Sequence, residues 1–140
     1  MSDLLNGLIG TLAYGAVGLV LMALGFVLVD VATPGKLRDL IWVEHNRNAA
    51  VLLCSGLFGI GVILTTAIVI SDDNLAVGLV NTGIYGILGL ALMSLSFVVI
   101  DAATPGKLGE VLATTERHPG VWVSATAHVV VSVIIAAAIS

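Results

Sequence analysis

Four long apolar stretches, separated by short polar connections, dominate the pattern of the chain. They cover positions 4–29, 49–70, 75–100 and 120–139, and none contains Lys, Arg, Asp or Glu. A helix needs about 20 apolar residues to cross the hydrocarbon core of a bilayer, and each stretch reaches that length. The pattern therefore predicts an all-α membrane protein with four transmembrane helices.

The second half of the chain repeats the first at an offset of 71 positions. Residues 30–37 read DVATPGKL, and residues 101–108 read DAATPGKL. Each octapeptide directly follows an apolar stretch, so the repeating unit is one long helix, a polar corner and a second long helix. We predict two two-span repeats, 1–72 and 73–140, which form one integrated membrane domain.

The Thr-Pro-Gly within each octapeptide predicts a corner between two helices. Proline lacks a backbone N–H and its ring clashes with the preceding turn, so the incoming helix must end before it. The threonine is then placed to cap a short helix that has the proline at its first position. We therefore expect short interfacial helices after Asp30 and Asp101. The predicted corner residues are Thr33, Pro34, Gly35, Thr104, Pro105 and Gly106.

The distribution of basic residues predicts the orientation in the membrane. The chain is 59% hydrophobic and only 10% charged, whereas a soluble protein has about 25% charged residues. All five Lys and Arg residues lie in the connections 30–48 and 101–119. The positive-inside rule makes these connections cytoplasmic, with both termini outside. The repeats then insert in the same orientation, as parallel two-helix repeats related by an axis along the membrane normal.

Small residues recur on one face of the first and third apolar helices. Thr11 and Met22 flank two glycines on the first helix, and Thr82 and Met93 flank two glycines on the third. Helix association in lipid depends on close van der Waals approach, so small residues mark interfaces. We predict packing of the first and third helices through these faces, with contact between subunits or a pore lining as alternatives. The predicted packing glycines are Gly15, Gly18, Gly56, Gly59, Gly86 and Gly89.

His128 is the one acidic or basic side chain deep inside a predicted span. Ionisable residues are costly within a membrane and are functional-site hypotheses for that reason. The structural alternative is a neutral histidine hydrogen-bonded to Ser124, to a backbone carbonyl or to another helix. His128 is therefore a candidate for a polar or proton-related site.

Asp30 and Asp101 occupy equivalent positions in the two repeats and have two interpretations. Each carboxylate can cap the short helix that follows it, or pair with the nearby lysine, which is a structural role. Alternatively, the two acids form a mouth that attracts cations. The duplication does not decide between these interpretations, because it would copy a structural corner and an ion site alike.

The repeated DxxTPG corner, with Asn48-Ala49-Ala50 and two glycines in the second span, resembles the bacterial membrane proteins called domain of unknown function 350. The resemblance covers essentially the whole chain, and the corner is its most specific part. The second copy departs from it, because Pro119-Gly120-Val121 stands where the first copy has Asn48-Ala49-Ala50. Any role of the asparagine is therefore confined to the first copy. The resemblance implies a four-span protein of the bacterial inner membrane and no established activity.

The sequence favours a protein without enzyme activity. It contains no phosphate-binding loop, dinucleotide glycine motif, zinc-protease motif or nucleophile elbow, and we expect no cofactor, metal or nucleic acid. The first hypothesis is an oligomeric scaffold or accessory subunit in the lipid bilayer of the inner membrane, bound to itself or to a larger membrane partner. The alternative is a small oligomeric ion channel or transporter with Asp30, Asp101 and His128 on the path.

A labelling experiment tests the predicted orientation. Cysteines placed at Ser71 and Ser140 should react with a membrane-impermeant maleimide added to intact cells, because both positions are predicted to lie outside. Labelling only after lysis would reverse the orientation.

Overall fold

The computed structural model describes residues 2–33, 35–72, 74–103, 108–114 and 116–140. These residues form α-helices throughout, and four of the helices are long and apolar enough to cross a membrane. The prediction of an all-α fold with four spans and short helices after Asp30 and Asp101 is confirmed. The helices are α1 (Ser2–Ala32), α2 (Leu37–Trp42), α3 (Arg47–Val69), α4 (Leu75–Ala103), α5 (Leu108–Ala113) and α6 (Pro119–Ile139).

The first span of each repeat is longer than the second. α1 has 31 residues and α4 has 29, or about 45 Å at 1.5 Å per residue. α3 and α6, with 23 and 21 residues, match a hydrocarbon core of about 30 Å more closely. α1 and α4 must therefore tilt or project from the core, and Asp30 and Asp101 lie in their last turns.

α3 lies at the centre of the bundle. It packs against α1, α4 and α6, and its contacts with α6 are the most extensive between any two helices in the described parts of the chain. α4 also packs against α1 and α6, whereas α1 and α6 make at most marginal contact there. The four spans thus form a rhombus with α3 and α4 across its short diagonal and α1 and α6 at its far corners.

The contact between α3 and α6 depends on a glycine. A Cβ atom at Gly59 would collide with the hydroxyl oxygen of Ser132 on α6 and would lie 3.1 Å from the terminal methyl carbon of Met93 on α4. A Cβ atom at Gly56, one turn earlier, would lie 3.2 Å from the side chain of Val29 on α1. Both glycines are buried. They let three helices approach α3 along one short segment.

The two copies of the small-residue face have different surroundings. On α4, Thr82 is fully buried and donates a hydrogen bond to the carbonyl of Ala67 (3.4 Å). A Cβ atom at Gly86 would lie 2.7 Å from Leu21 of α1. Gly89 is buried against α3 as well. The α4 face therefore points into the bundle.

On α1 the equivalent positions are open. Thr11 and Gly15 are exposed, and a Cβ atom at Gly15 would meet no atom of the described parts of the chain within 4 Å. Gly18 approaches a single side chain, Ile68, at 4.0 Å. α1 packs instead through its second half, where Leu21 and Val29 are buried. We call the face with the exposed Thr11 and Gly15 and the half-buried Gly18 the open face of α1.

The first corner ends α1 as predicted but starts α2 differently. α1 ends at Ala32, and the Thr33 hydroxyl donates back to the carbonyl of Val29 (2.7 Å). The N-cap of α2 is Lys36, which has no side-chain cap, so the predicted capping role of Thr33 is wrong. Gly35 accounts for the difference, because its φ of +96° turns the chain. α2 therefore begins only at Leu37. Pro34, Thr104, Pro105 and Gly106 lie outside the described residues.

The short helices pack onto the same end of the bundle, which we call the α2–α5 end. Leu37 of α2 is fully buried, as is Leu112 of α5 at 1% exposure. Trp42 is 61% exposed, which suits the headgroup level of a bilayer. Both short helices thus turn an apolar side onto the spans.

Two asparagines join the connections of the two repeats. The Asn46 side chain caps α3 by accepting from the backbone N–H groups of Asn48 (2.9 Å) and Ala49 (3.1 Å), and its amide donates to the carbonyl of Leu112 (2.7 Å). The Asn48 amide donates to the carbonyls of Thr114 (3.1 Å) and Glu116 (2.8 Å). We call this set of bonds the asparagine clamp. It fixes the segment after α5 against the start of α3.

Removal of the clamp should destabilise the fold. Asn48 is 2% exposed, and Asn48→Ala removes its hydrogen bonds to the carbonyls of Thr114 and Glu116. Each bond is worth about 0.5–1.5 kcal/mol, so the loss should be about 1–3 kcal/mol. Thermal unfolding of the detergent-solubilised protein measures this as a lower Tm. The control is Asn6→Ala, because Asn6 is exposed and surface changes stay within about 0.5 kcal/mol. Equal Tm values for both variants would contradict the clamp.

Candidate functional site

A cavity of about 330 Å³ lies at the α2–α5 end between α4, α5 and α6. Its wall includes the apolar side chains of Phe97, Ile100 and Val111. Polar side chains occupy the rest of the wall, so the cavity combines both kinds of surface. The polar lining residues are Asp101, Glu110, Thr114, His118, Ser124 and His128.

Asp101 has a structural role at the mouth of the cavity. Its Oδ1 atom accepts a hydrogen bond from the backbone N–H of Leu108, the first residue of α5, at 2.8 Å. This is the capping interaction that the structural interpretation of Asp101 predicts. The side chain is half-buried and also lines the cavity. The carboxylate thus anchors α5 and contributes negative charge to the cavity.

His128 lies at the inner end of the cavity. Its side chain is 1% exposed and stacks on Phe97 of α4, with ring centroids 3.5 Å apart and planes 17° from parallel. Neither ring nitrogen has a hydrogen-bond partner among the described residues. A buried polar group without a partner costs about 1–3 kcal/mol. The stacking holds the ring in place but leaves its polar atoms available.

The Ser132 side chain, one turn after His128 on α6, is already paired. The Ser132 hydroxyl donates to the carbonyl of His128 at 2.8 Å and lies 3.7 Å from the Met93 sulfur. Ser124 is buried one turn before His128 and lines the cavity. Of the three polar side chains on this face of α6, Ser124 and His128 therefore face the cavity, and Ser132 faces the packed core.

The cavity connects the surface with the interior. Glu110, Thr114 and His118 are exposed, whereas His128 is buried. α6 begins directly after its N-cap, His118, so ten residues of rise separate the two histidines, or about 15 Å. The lining thus runs from the exposed α5 side to a point well inside the bundle.

The structure brings together two of the three residues that the sequence predicts as a polar site. Asp101 and His128 line the same cavity, but Asp30 does not. The Oδ1 atom of Asp30 is buried without a hydrogen-bond partner, and α2 receives no side-chain cap. The two acids, equivalent in sequence, therefore have different environments.

The sequence analysis did not identify Glu110 and His118 as site residues. Both lie in the connection that follows Asp101, and a short helix that begins seven residues after an acid can turn back towards it. His118 caps α6, because its Nδ1 atom accepts from the backbone N–H of Gly120 at 3.1 Å. A difference between the repeats could have identified His118, since Arg47 occupies the equivalent position in the first copy.

The arrangement of side chains bears on what the cavity can bind. No group of three or more His, Cys, Asp or Glu side chains within the described residues is placed to hold a metal ion. The charged side chains at the cavity wall, as far as it is described, are the carboxylates of Asp101 and Glu110. The cavity therefore suits a cationic or hydrogen-bonding guest.

Comparison with known proteins identifies the family. The family described as Domain of Unknown Function (DUF350) matches residues 3–139. A "UPF0719 transmembrane protein" of Mycolicibacterium paratuberculosis is 33% identical over 140 residues, which is 100% of this chain and 93% of the relative. A UPF0719 transmembrane protein of Mycobacterium bovis is 34% identical over 100% of this chain and 92% of its own length. No solved structure matches the chain. The chain is thus a small multi-span transmembrane protein that belongs to the DUF350 family.

Proposed function

We propose that the protein is a non-enzymatic scaffold of the bacterial inner membrane that associates with a second copy of itself through the open face of α1. The observation that carries this proposal is the unequal burial of two copies of one helix face. On α4, Thr82 and Gly86 are buried, whereas on α1 the equivalent Thr11 and Gly15 are exposed. A face that serves packing in one repeat is thus available for packing in the other.

The physics of helix association in lipid supports this role for the open face. Lipid tails are as apolar as Leu, so helices associate where small residues permit close backbone approach. Glycine within a helix costs about 1 kcal/mol relative to alanine, and no described residue would lie within 4 Å of a Cβ atom at Gly15. α1 is also the least buried of the four spans. A second copy gives the glycine a packing role that this chain does not supply.

Substitution of the open face should break the association. Gly15→Leu fills the surface on which a second helix would pack, and the dissociation constant should rise at least tenfold. The matched control is Gly83→Leu on α4, because a Cβ atom at Gly83 also meets nothing within 4 Å. Light scattering with size-exclusion chromatography in detergent measures the protein mass of each variant.

The same glycine offers a test within the membrane. In a Cys54→Ser background, which removes the only cysteine, Gly15→Cys should form a disulfide-linked dimer and Gly83→Cys should not. A monomeric wild type would contradict the proposal. If Gly15→Cys instead crosslinks to a different protein, the open face of α1 binds a larger membrane partner and not a second copy.

A second candidate function rests on the cavity. Asp101 and His128 line one cavity, and this cavity reaches about 15 Å into the bundle. Its depth and polar lining support a small ion channel or transporter. The described residues above His128 are packed, since Gly59, Met93 and Ser132 meet there. A path across the bilayer would therefore require a second conformation or an oligomer.

Flux measurements test this second candidate. If the cavity is part of a path, proteoliposomes with the wild type should show proton or monovalent cation flux, and Asp101→Asn should reduce it at least tenfold. Asp30→Asn is the matched control, because Asp30 is the sequence equivalent that lies outside the cavity. No flux in the wild type, or equal loss in both variants, would remove this candidate.

A further inference from the structure

We propose that the cavity between α4, α5 and α6 is a binding site for a small organic ammonium ion. The carboxylates of Asp101 and Glu110 hold the cationic group, and the polar atoms of Ser124 and His128 supply hydrogen bonds deeper in the cavity. The proposal concerns binding alone, so it depends neither on self-association nor on transport.

The charge of the cavity selects a cation. Asp101 and Glu110 are the charged side chains of the described wall. Carboxylates beside low-dielectric walls attract a cation more strongly than they would in water, because the surroundings screen the charges less. An anionic ligand would face two carboxylates and is disfavoured.

The inner end of the cavity requires a hydrogen-bonding guest. His128 is 99% buried and both of its ring nitrogens lack partners among the described residues. An uncharged imidazole has one nitrogen that accepts and one that donates. A hydroxyl group on the ligand can donate to the accepting nitrogen or accept from the donating one, whereas an ammonium N–H group can only donate. This unpartnered side chain is independent of the two acids and points to the same cavity.

The size and the apolar walls favour an organic cation over a bare ion. A volume of about 330 Å³ has room for about ten water-sized groups and lies at the small end of ligand pockets. Phe97, Ile100 and Val111 offer surface for a short hydrocarbon segment. A bare metal ion would need several ligands around one point, and the described residues provide no such cluster.

The first repeat shows which features the fold alone requires. Asp30 and Asp39 stand at the equivalents of Asp101 and Glu110, so the acids belong to both repeats. The polar residues of α6 that line the cavity have no polar equivalents in the first repeat, and the residue at the mouth of the cavity also differs between the repeats. The first repeat has Leu53 for Ser124, Leu57 for His128 and Arg47 for His118. Leucines remove the hydrogen-bonding atoms and an arginine opposes a cation. The second repeat thus adds the features that a ligand would use.

Titration with 4-hydroxybutylammonium chloride, which has an ammonium group at one end and a hydroxyl group at the other, tests the proposal on the full chain in detergent. Histidine-labelled protein reports binding through the ring ¹³C chemical shifts of His128 and His118, while His45 lies outside the cavity and serves as an internal control. We expect a saturable shift at His128, at least tenfold weaker binding in Asp101→Asn, and less than a twofold change in Asp30→Asn. Asparagine keeps the oxygen that caps Leu108, so the fold should survive.

Matched ligands and a second variant determine the outcome. 1,4-Butanediol has the same number of non-hydrogen atoms but no charge, and potassium chloride has the charge but no hydrocarbon. An equal shift with either compound, or a shift that does not saturate, would overturn the proposal. If Asp101→Asn fails to fold, Glu110→Gln is measured instead, because Glu110 is an exposed residue of α5. At least threefold weaker binding in Glu110→Gln supports the site, and unchanged binding refutes it.

Discussion

The approach of α6 to α3 at Gly59 is the contact on which the arrangement of the bundle depends. No hydrophobic effect drives helices together in lipid, so their association depends on how closely the backbones approach. At Gly59 the Ser132 hydroxyl lies where any side chain would be, which fixes the position of α6 on α3. His128, one turn before Ser132, is thereby stacked on Phe97 of α4. The packing contact and the cavity are consequences of one helix register.

The two halves of the chain share a sequence pattern but contribute different side chains to the structure. The acids and the corner sequence are common to both repeats, but only the second acid, Asp101, caps the short helix that follows it, since α2 has no side-chain cap. The first repeat contributes Asn46 and Asn48, which hold the connection of the second repeat in place. The second repeat contributes Ser124 and His128. The polar cavity of one repeat is thus held by the amides of the other.

The sequence predicted the features that the bilayer imposes and missed those that depend on tertiary neighbours. Span bounds were within about three residues of the observed helices, because bilayer thickness and the loss of apolar character limit each span. The faces with Gly15 and Gly86 look alike in sequence, yet only the second is buried. No local pattern specifies which helix lies opposite a given face. Thr33 likewise matched a capping pattern, but the positive φ of Gly35 delayed the next helix.

The open face of α1 and the cavity lie on different parts of the rhombus, which makes their proposed roles compatible. The cavity is lined by α4, α5 and α6, and α1 occupies the corner opposite α6. A second copy that packs against Gly15 therefore approaches from the side away from His128 and leaves the exposed residues Glu110 and His118 accessible. α4 contacts α1 through Gly86 and carries both Phe97 and Asp101, and α3 packs against both α1 and α6. These two helices are the physical routes by which association on one side can alter the cavity on the other.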